Sequence, residues 1–374
     1  MLEKVIDRSG GDSIKWNRYA GRDVLPMWVA DMDFAAPPPV LAALHERVAH
    51  GVFGYAEAWP SLVESVQEHL AREYGWDIAP DWLVWLPGLV TGLNVACRTI
   101  EGRVLTATPV YPPFFTAPRF SGREVLRLDL KQIDGRWEWD WPALEAAAPD
   151  IRLLLLCHPH NPVGRVWRDA ELERLLALAE AHDWIVCSDE IHCDLILDPT
   201  LRHRPFATLG DVAARRSITL MAPSKTFNVP GLGCSFAIIP DADLRRRFEQ
   251  TMRGIVPHVN VLGWVACEAA LRHGQVWRAE LLETLRANRD QLQATVAGLP
   301  GLLMTPVEAT YLAWIDARGL GVADVHANFE AHGLGLSDGK DFGAPGWVRL
   351  NFGCPPATLA EALRRLEAAA QVRA

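Results

Sequence analysis

Residues 153–190 read LLLLCHPHNPVGRVWRDAELERLLALAEAHDWIVCSDE, and this stretch decides the fold. It opens on one apolar run, Leu153 to Cys157, and closes on another, Ile185 to Ser188, each with the length and continuous hydrophobicity of a buried strand. Between them, Asp169 to His182 sets Leu172, Leu175, Leu176 and Ala179 on one side of a helix and charged residues on the other. A strand, an amphipathic helix and a second buried strand make a crossover unit of a parallel sheet.

The same alternation extends in both directions. Trp82 to Leu86, Val104 to Ala107, Val125 to Leu130, Ile218 to Met221 and Ser235 to Ile239 read as further strands, which predicts a mainly parallel sheet covered by helices. Val276 to Ala297 reads as a long surface helix joining two lobes. After it come a strand at Tyr311 to Ile315, a glycine-rich loop at Gly333 to Gly346, a strand at Trp347 to Phe352 and a closing helix at Ala357 to Ala370. The fold class expected is α/β, a large domain with a mixed, mainly parallel sheet flanked by helices plus a smaller α+β domain. The expected division is 1–45 for an N-terminal arm and part of the small domain, 46–275 for the large domain and 276–374 for the small one. The break Pro37-Pro38-Pro39 separates the arm from the first large-lobe helix.

Composition narrows the partners. The chain has 374 residues, 49% hydrophobic and 22% charged, with a formal net charge of −9, so nucleic acid and anionic membrane are not expected partners. Small molecules are. The seven cysteines, Cys97, Cys157, Cys187, Cys193, Cys234, Cys267 and Cys354, show no CxxC spacing and several lie in apolar runs, which predicts reduced, structural thiols and no metal site. The N-terminus carries no apolar signal-like stretch and no apolar run is long enough to cross a bilayer, so a cytoplasmic location is expected.

In parallel α/β sheets ligands bind beyond the carboxyl ends of the strands. There the sequence places Asn161, Asp189 and Ser224-Lys225, an amide, a carboxylate and an amine. Trp82 to Leu86 ends in Pro87-Gly88-Leu89-Val90-Thr91-Gly92, a turn whose backbone N–H groups and helix dipole suit an anion. Val104 to Ala107 leads to Tyr111, an aromatic face. Together these groups suit a phosphorylated aromatic ring.

Seven segments carry a wider resemblance: Met27 to Phe34 (MWVADMDF), Gly51 to Tyr55 (GVFGY), Pro109 to Phe114 (PVYPPF), His158 to Gly164 (HPHNPVG), Ser188 to His192 (SDEIH), Ser224 to Asn228 (SKTFN) and Val348 to Pro355 (VRLNFGCP). In order and spacing, over nearly the whole chain, they resemble the fold-type I (aspartate aminotransferase-like) pyridoxal-phosphate enzymes, and within these the MalY/PatB cystathionine β-lyase group. The resemblance implies pyridoxal 5′-phosphate as cofactor, with Lys225 forming the Schiff base to its aldehyde and then moving the substrate Cα proton. It implies Asp189 at the pyridine nitrogen, Asn161 at the phenolic oxygen and Tyr111 stacked on the ring. His192 stands where typical aminotransferases of this fold carry a tyrosine. The phosphate falls to the N–H groups of Leu89 and Val90, to Ser224, and to Tyr55 of a neighbouring subunit in a homodimer whose shared sites also include the region around Asn260. Arg349 is matched to the substrate α-carboxylate, while the Glu308 to Leu312 turn and the arm from Trp28 to Phe34 wall the substrate side.

Two departures stand out. Where many aminotransferases carry an arginine eight residues after the lysine this chain has Gly233, and where a serine often stands three residues before it there is Ala222. The expected activity is a carbon–sulfur β-lyase acting on cystathionine, cysteine or a cysteine S-conjugate and releasing thiol, pyruvate and ammonia. An amino-acid aminotransferase is the alternative, and a regulatory binding protein on the same scaffold is the reading from another class.

Overall fold

A computed structural model of the chain describes residues 2–371. Met1 and residues 372–374, which the sequence reading put at the outer ends of the arm and of the small domain, lie outside the described residues.

The central sheet has seven strands: β1 (Leu83–Leu86), β2 (Arg103–Thr108), β3 (Val125–Asp129), β4 (Ile151–Cys157), β5 (Ile185–Asp189), β6 (Ser217–Met221) and β7 (Ser235–Ile238). They lie in the order β1-β7-β6-β5-β4-β2-β3, with β7 antiparallel to both neighbours and the remaining pairs parallel. Each predicted strand of this sheet forms within one or two residues of its expected ends. Alternation explains why β4 is aliphatic throughout: Leu153, Leu155 and Cys157 enter the core on one face, and Leu154 and Leu156 enter the core on the other. The helix Asp169–Ala181 covers the second face through Leu172, Leu175 and Ala179.

A second, antiparallel sheet contains β8 (Leu303–Met304), β9 (Leu312–Asp316), β10 (Ser337–Asp338) and β11 (Trp347–Asn351), in the order β8-β9-β11-β10. Trp314 of β9 and Trp347 of β11 stack with ring centroids 5.6 Å apart and join the core under the central sheet. The two sheets are thereby fixed to each other by apolar packing.

The expected loop from Gly333 to Gly346 is corrected by the structure. It holds the strand Leu334–Gly335, then β10, then a 3₁₀ turn at Gly339–Phe342. Its glycines close tight turns between very short elements: a Cβ at Gly339 would lie 2.3 Å from the Ala344 carbonyl oxygen. Leu334–Gly335 pairs in parallel with Leu25–Pro26, so the N-terminal arm is sewn to the far end of the chain. The Pro37 to Pro39 break is also the start of a helix, Pro38–His50, because proline is tolerated in a first turn.

The arm is held by a buried ion cluster. The Asp33 carboxylate accepts from Lys15 Nζ at 2.6 Å, Arg8 Nη1 at 2.7 Å and Trp16 Nε1 at 3.1 Å, with Lys15 only 1% exposed. Removing the anion leaves Lys15 buried without its counter-charge. Asp33→Ala is therefore expected to destabilise the fold by about 3 kcal/mol, read as a lower urea midpoint at unchanged slope. A midpoint equal to wild type would show that the cluster contributes no stability.

Candidate active site

A cavity of about 450 Å³ opens at the carboxyl ends of the central strands. It collects the residues that the strand ends singled out: Gly88, Leu89 and Val90 after β1, Tyr111 after β2, Asn161 after β4, Asp189 and His192 at and after β5, and Ser224 and Lys225 after β6. Arg349 of β11 closes it from the second sheet. Of the expected site residues only Tyr55 stands apart: it is fully exposed in the segment before the helix Pro60–Tyr74 and does not line the cavity. Asn260, also exposed, N-caps the helix Val261–His273.

Lys225 Nζ donates to the Ala30 carbonyl at 2.6 Å. Burial, reinforced by the Arg349 charge and opposed by Asp31 and Asp189, pushes the ammonium down to about 8. Asp189 ends β5 with one hydrogen bond to its carboxylate, from Ile191 N at 3.3 Å, and burial raises it to about 7. A buried carboxyl so sparsely satisfied calls for a cationic N–H partner. His192 packs edge-on to Tyr311 at 6.0 Å, and burial together with Lys225 and Arg349 holds it well below its ordinary range, so the imidazole is neutral at physiological pH. Its Nδ1 is buried without a partner.

Arg349 is 4% exposed. Its Nη1 donates to Asn161 Oδ1 at 3.0 Å, and its Nη2 donates to the Trp28 carbonyl at 2.8 Å and to Ser337 Oγ at 3.2 Å. The guanidinium lies 4.7 Å from the Phe342 ring centroid, and Nε has no partner. The fork is held in place by neutral groups, and no carboxylate of the described residues neutralises it.

At the other end of the cavity, Gly88 precedes the helix Leu89–Thr99, whose first turn has no side-chain cap. Its N–H groups are open to an anion, and the Ser224 hydroxyl stands nearby on the cavity wall. One of the two departures has its reason here. Gly233 adopts φ +59°, and a Cβ there would lie 3.1 Å from the Pro87 carbonyl oxygen, so an arginine is disfavoured by the backbone itself. Ala222 offers no hydroxyl. These orphaned donors, the under-satisfied carboxyl and the depressed lysine fit a phosphorylated pyridine aldehyde.

Some expectations about the substrate side are corrected. None of residues 308–312 lines the cavity. The Glu308 carboxylate instead accepts from Val166 N and from Arg136 and Arg168, pinning the turn chiefly to the segment between β4 and the helix Asp169–Ala181. Tyr311 reaches the site only from behind, donating its hydroxyl to the Ala30 carbonyl at 2.9 Å. Of the arm, Trp28, Val29 and Ala30 face the cavity, while Asp31 to Phe34 do not line it. Cys157, Ser337, Phe342, Arg18, Asp338 and Asp341 also line it and were not singled out from the sequence. Ser337 lies directly opposite Arg349 in the β10–β11 register, a pairing that its local sequence does not announce.

This fold and this set of strand ends define a class. The chain belongs to the family Aminotransferase class I and II, which it matches over residues 22–366. Within that family it falls in the cystathionine β-lyase group: it is 37% identical to cystathionine β-lyase PatB of Bacillus subtilis (strain 168) over 98% of this chain and 99% of that protein. Among solved structures, OvoB is 50% identical with a TM-score of 0.98 over 100% of both chains. Cystalysin from Treponema denticola, which contains a pyridoxal 5′-phosphate cofactor, is 32% identical with a TM-score of 0.94 over 99% of this chain and 98% of that one. All seven cysteines are free and buried, as the sequence implied, and no helix of the described residues is long and apolar enough to cross a membrane.

Proposed function

We propose that the chain is a pyridoxal-phosphate-dependent carbon–sulfur β-lyase that converts cystathionine, cysteine or a cysteine S-conjugate, with water, into a thiol, pyruvate and ammonia. The observation that carries this reading is the buried Lys225 amine in one cavity with Asp189, Asn161, Tyr111 and an unneutralised Arg349. When bound, the cofactor supplies a carbonyl for the substrate amine and a ring that accepts the electrons released at Cα.

The residues divide the remaining work. Arg349 receives the α-carboxylate, with Asn161 and Ser337 holding its fork in register. Lys225 takes the Cα proton and returns a proton to the departing sulfur, a role suited to an amine poised near 8. Asp189 holds the proton on the ring nitrogen, Asn161 addresses the phenolic oxygen, and the Tyr111 ring covers one face and excludes water. His192, neutral and buried, adds no charge beside them. Leu89 N, Val90 N and the Ser224 hydroxyl take the phosphate.

Only the neutral amine attacks a carbonyl, so uptake of pyridoxal phosphate by cofactor-free protein should accelerate about tenfold per pH unit up to pH ~8 and then level off. The sign follows from the lowered pKa: at pH 7.5 about a quarter of Lys225 is neutral, against about one part in a thousand for a solvated lysine. Stopped-flow absorbance from pH 6.5 to 9 measures it, and a rate independent of pH would rule out this role for the depression.

We further propose that the protein works as a homodimer. Val52, Phe53 and Tyr55 are exposed together in a segment without regular structure, which supports their burial against a second copy, where Tyr55 would join the neighbouring phosphate site. Native mass spectrometry should give a dimer carrying two cofactors; a loaded, active monomer refutes it.

The activity itself is tested by stoichiometry. Pyruvate and thiol released from cystathionine without any 2-oxo acid acceptor support the lyase, and strict dependence on an acceptor makes the protein an aminotransferase.

A further inference from the structure

Six charged side chains line the cavity: Arg18, Asp189, Lys225, Asp338, Asp341 and Arg349. The lyase reading uses Asp189, Lys225 and Arg349. Arg18, Asp338 and Asp341 have no part in it.

These three differ in how they are engaged. Asp338 is already committed: its Oδ1 accepts from Lys340 N at 3.0 Å and its carboxylate lies 3.5 Å from Lys340 Nζ. Arg18 follows the short helix Ile14–Asn17, and its guanidinium rests 4.7 Å from the Trp28 ring and 5.6 Å from Tyr19. Aromatic faces hold it in place without using its N–H donors. No carboxylate of the described residues pairs with it. Asp341, in the 3₁₀ turn Gly339–Phe342, likewise has no ion-pair partner among the described residues. The segment that bears Asp341 is the one that positions Arg349, through Ser337 Oγ and the Phe342 ring. A substrate anchored at Arg349, itself 4% exposed with an unpartnered Nε, therefore meets one free cation and one free anion farther out.

We infer that the cavity mouth reads a second amino-acid head group: the preferred S-conjugates carry a zwitterion on the thiol they release, with its carboxylate on Arg18 and its ammonium on Asp341. This rests on the lyase reading and selects, among its substrates, those of the cystathionine kind over cysteine or S-alkylcysteines. An uncharged thiol group leaves both Arg18 and Asp341 unpaired, and a singly charged one satisfies only one of them.

Four substrates separate the charges: L-cystathionine, S-(2-aminoethyl)-L-cysteine, S-(2-carboxyethyl)-L-cysteine and S-propyl-L-cysteine. Cofactor-loaded wild type, Asp341→Asn and Arg18→Gln are compared by pyruvate release, for KM and kcat, and by absorbance titration, for binding. For wild type, KM should be lowest with cystathionine. Asp341→Asn should raise KM about fivefold for cystathionine and the aminoethyl conjugate relative to the propyl one, and Arg18→Gln should do so for cystathionine and the carboxyethyl conjugate. Asp341→Glu should restore the wild-type order. A wild-type KM for the propyl conjugate equal to or below that for cystathionine overturns the inference, as does a uniform change across all four substrates. If no substrate yields pyruvate, the lyase reading has failed, and the titration still decides: the same charge-dependent order in Kd supports the inference and equal values overturn it.

Discussion

Lys225→Ala is expected to lower the turnover number for pyruvate release by about ten-thousandfold or more, while the protein stays folded. The residue combines two functions that no neighbour can assume. In the proposed reaction it is both the amine that bonds the cofactor and the base and acid that relocates the proton between Cα and sulfur. The neighbouring titratable groups differ from it in charge state and placement. His192 is held neutral and its Nδ1 faces buried surroundings, Asp189 lies at a strand end with its carboxyl raised to about 7, and Tyr111 is pushed up by burial. The site is polar enough to bind the variant's substrate, yet among the described residues it has no second amine: Lys225 is the only lysine of these that lines the cavity. Steady-state pyruvate release measures the loss. Borohydride treatment followed by intact-mass analysis gives an independent readout, since wild type should retain the cofactor mass and the variant should not. More than about one hundredth of wild-type turnover in a variant that fails to retain the mass would assign the proton transfers elsewhere.

Arg349→Lys is expected to cost between about a hundredfold and a thousandfold in kcat/KM for amino-acid substrates, carried mostly by KM. A single ammonium cannot hold the Asn161 amide, the Trp28 carbonyl and the Ser337 hydroxyl together while still presenting two parallel donors to a carboxylate. It also loses the flat contact with Phe342. Comparing a substrate with its carboxamide isolates the cause. The variant should discriminate poorly between S-methyl-L-cysteine and its amide, whereas wild type should strongly prefer the acid. If the variant preserves that preference, Arg349 is not the carboxylate's partner.

How much of this was readable beforehand varies with distance along the chain. The central sheet was legible because strands buried on both faces are written as unbroken apolar runs, and the residues that follow each run lie at one edge by topology. Lys225, Asp189, Asn161 and Tyr111 came together for that reason. The second sheet was harder. β10 is two residues long and is fixed by pairing with β11 rather than by any propensity of its own, so Ser337 looked like part of a loop. Leu25–Pro26 pairs with Leu334–Gly335, partners separated by almost the whole chain, and nothing local in either dipeptide announces the contact. Glu308 misled in the opposite way. A carboxylate in a turn next to a strand looks available, but Arg136 and Arg168 satisfy it from a distant part of the sequence. Arg18 caps the C-terminus of a four-residue helix, where an arginine is ordinary.

The burial of every cysteine matters for an enzyme whose product is a nucleophilic sulfur compound. Even Cys157, on the cavity wall, is held in its thiol form because burial pushes it well above its ordinary range. Disulfide exchange requires a thiolate that solvent can reach, and the folded chain offers none among the described residues. The protein is thereby insulated from capping by its own output when that output oxidises. A chromogenic disulfide added to the reaction would accordingly register the liberated thiol alone, with no background from the native catalyst.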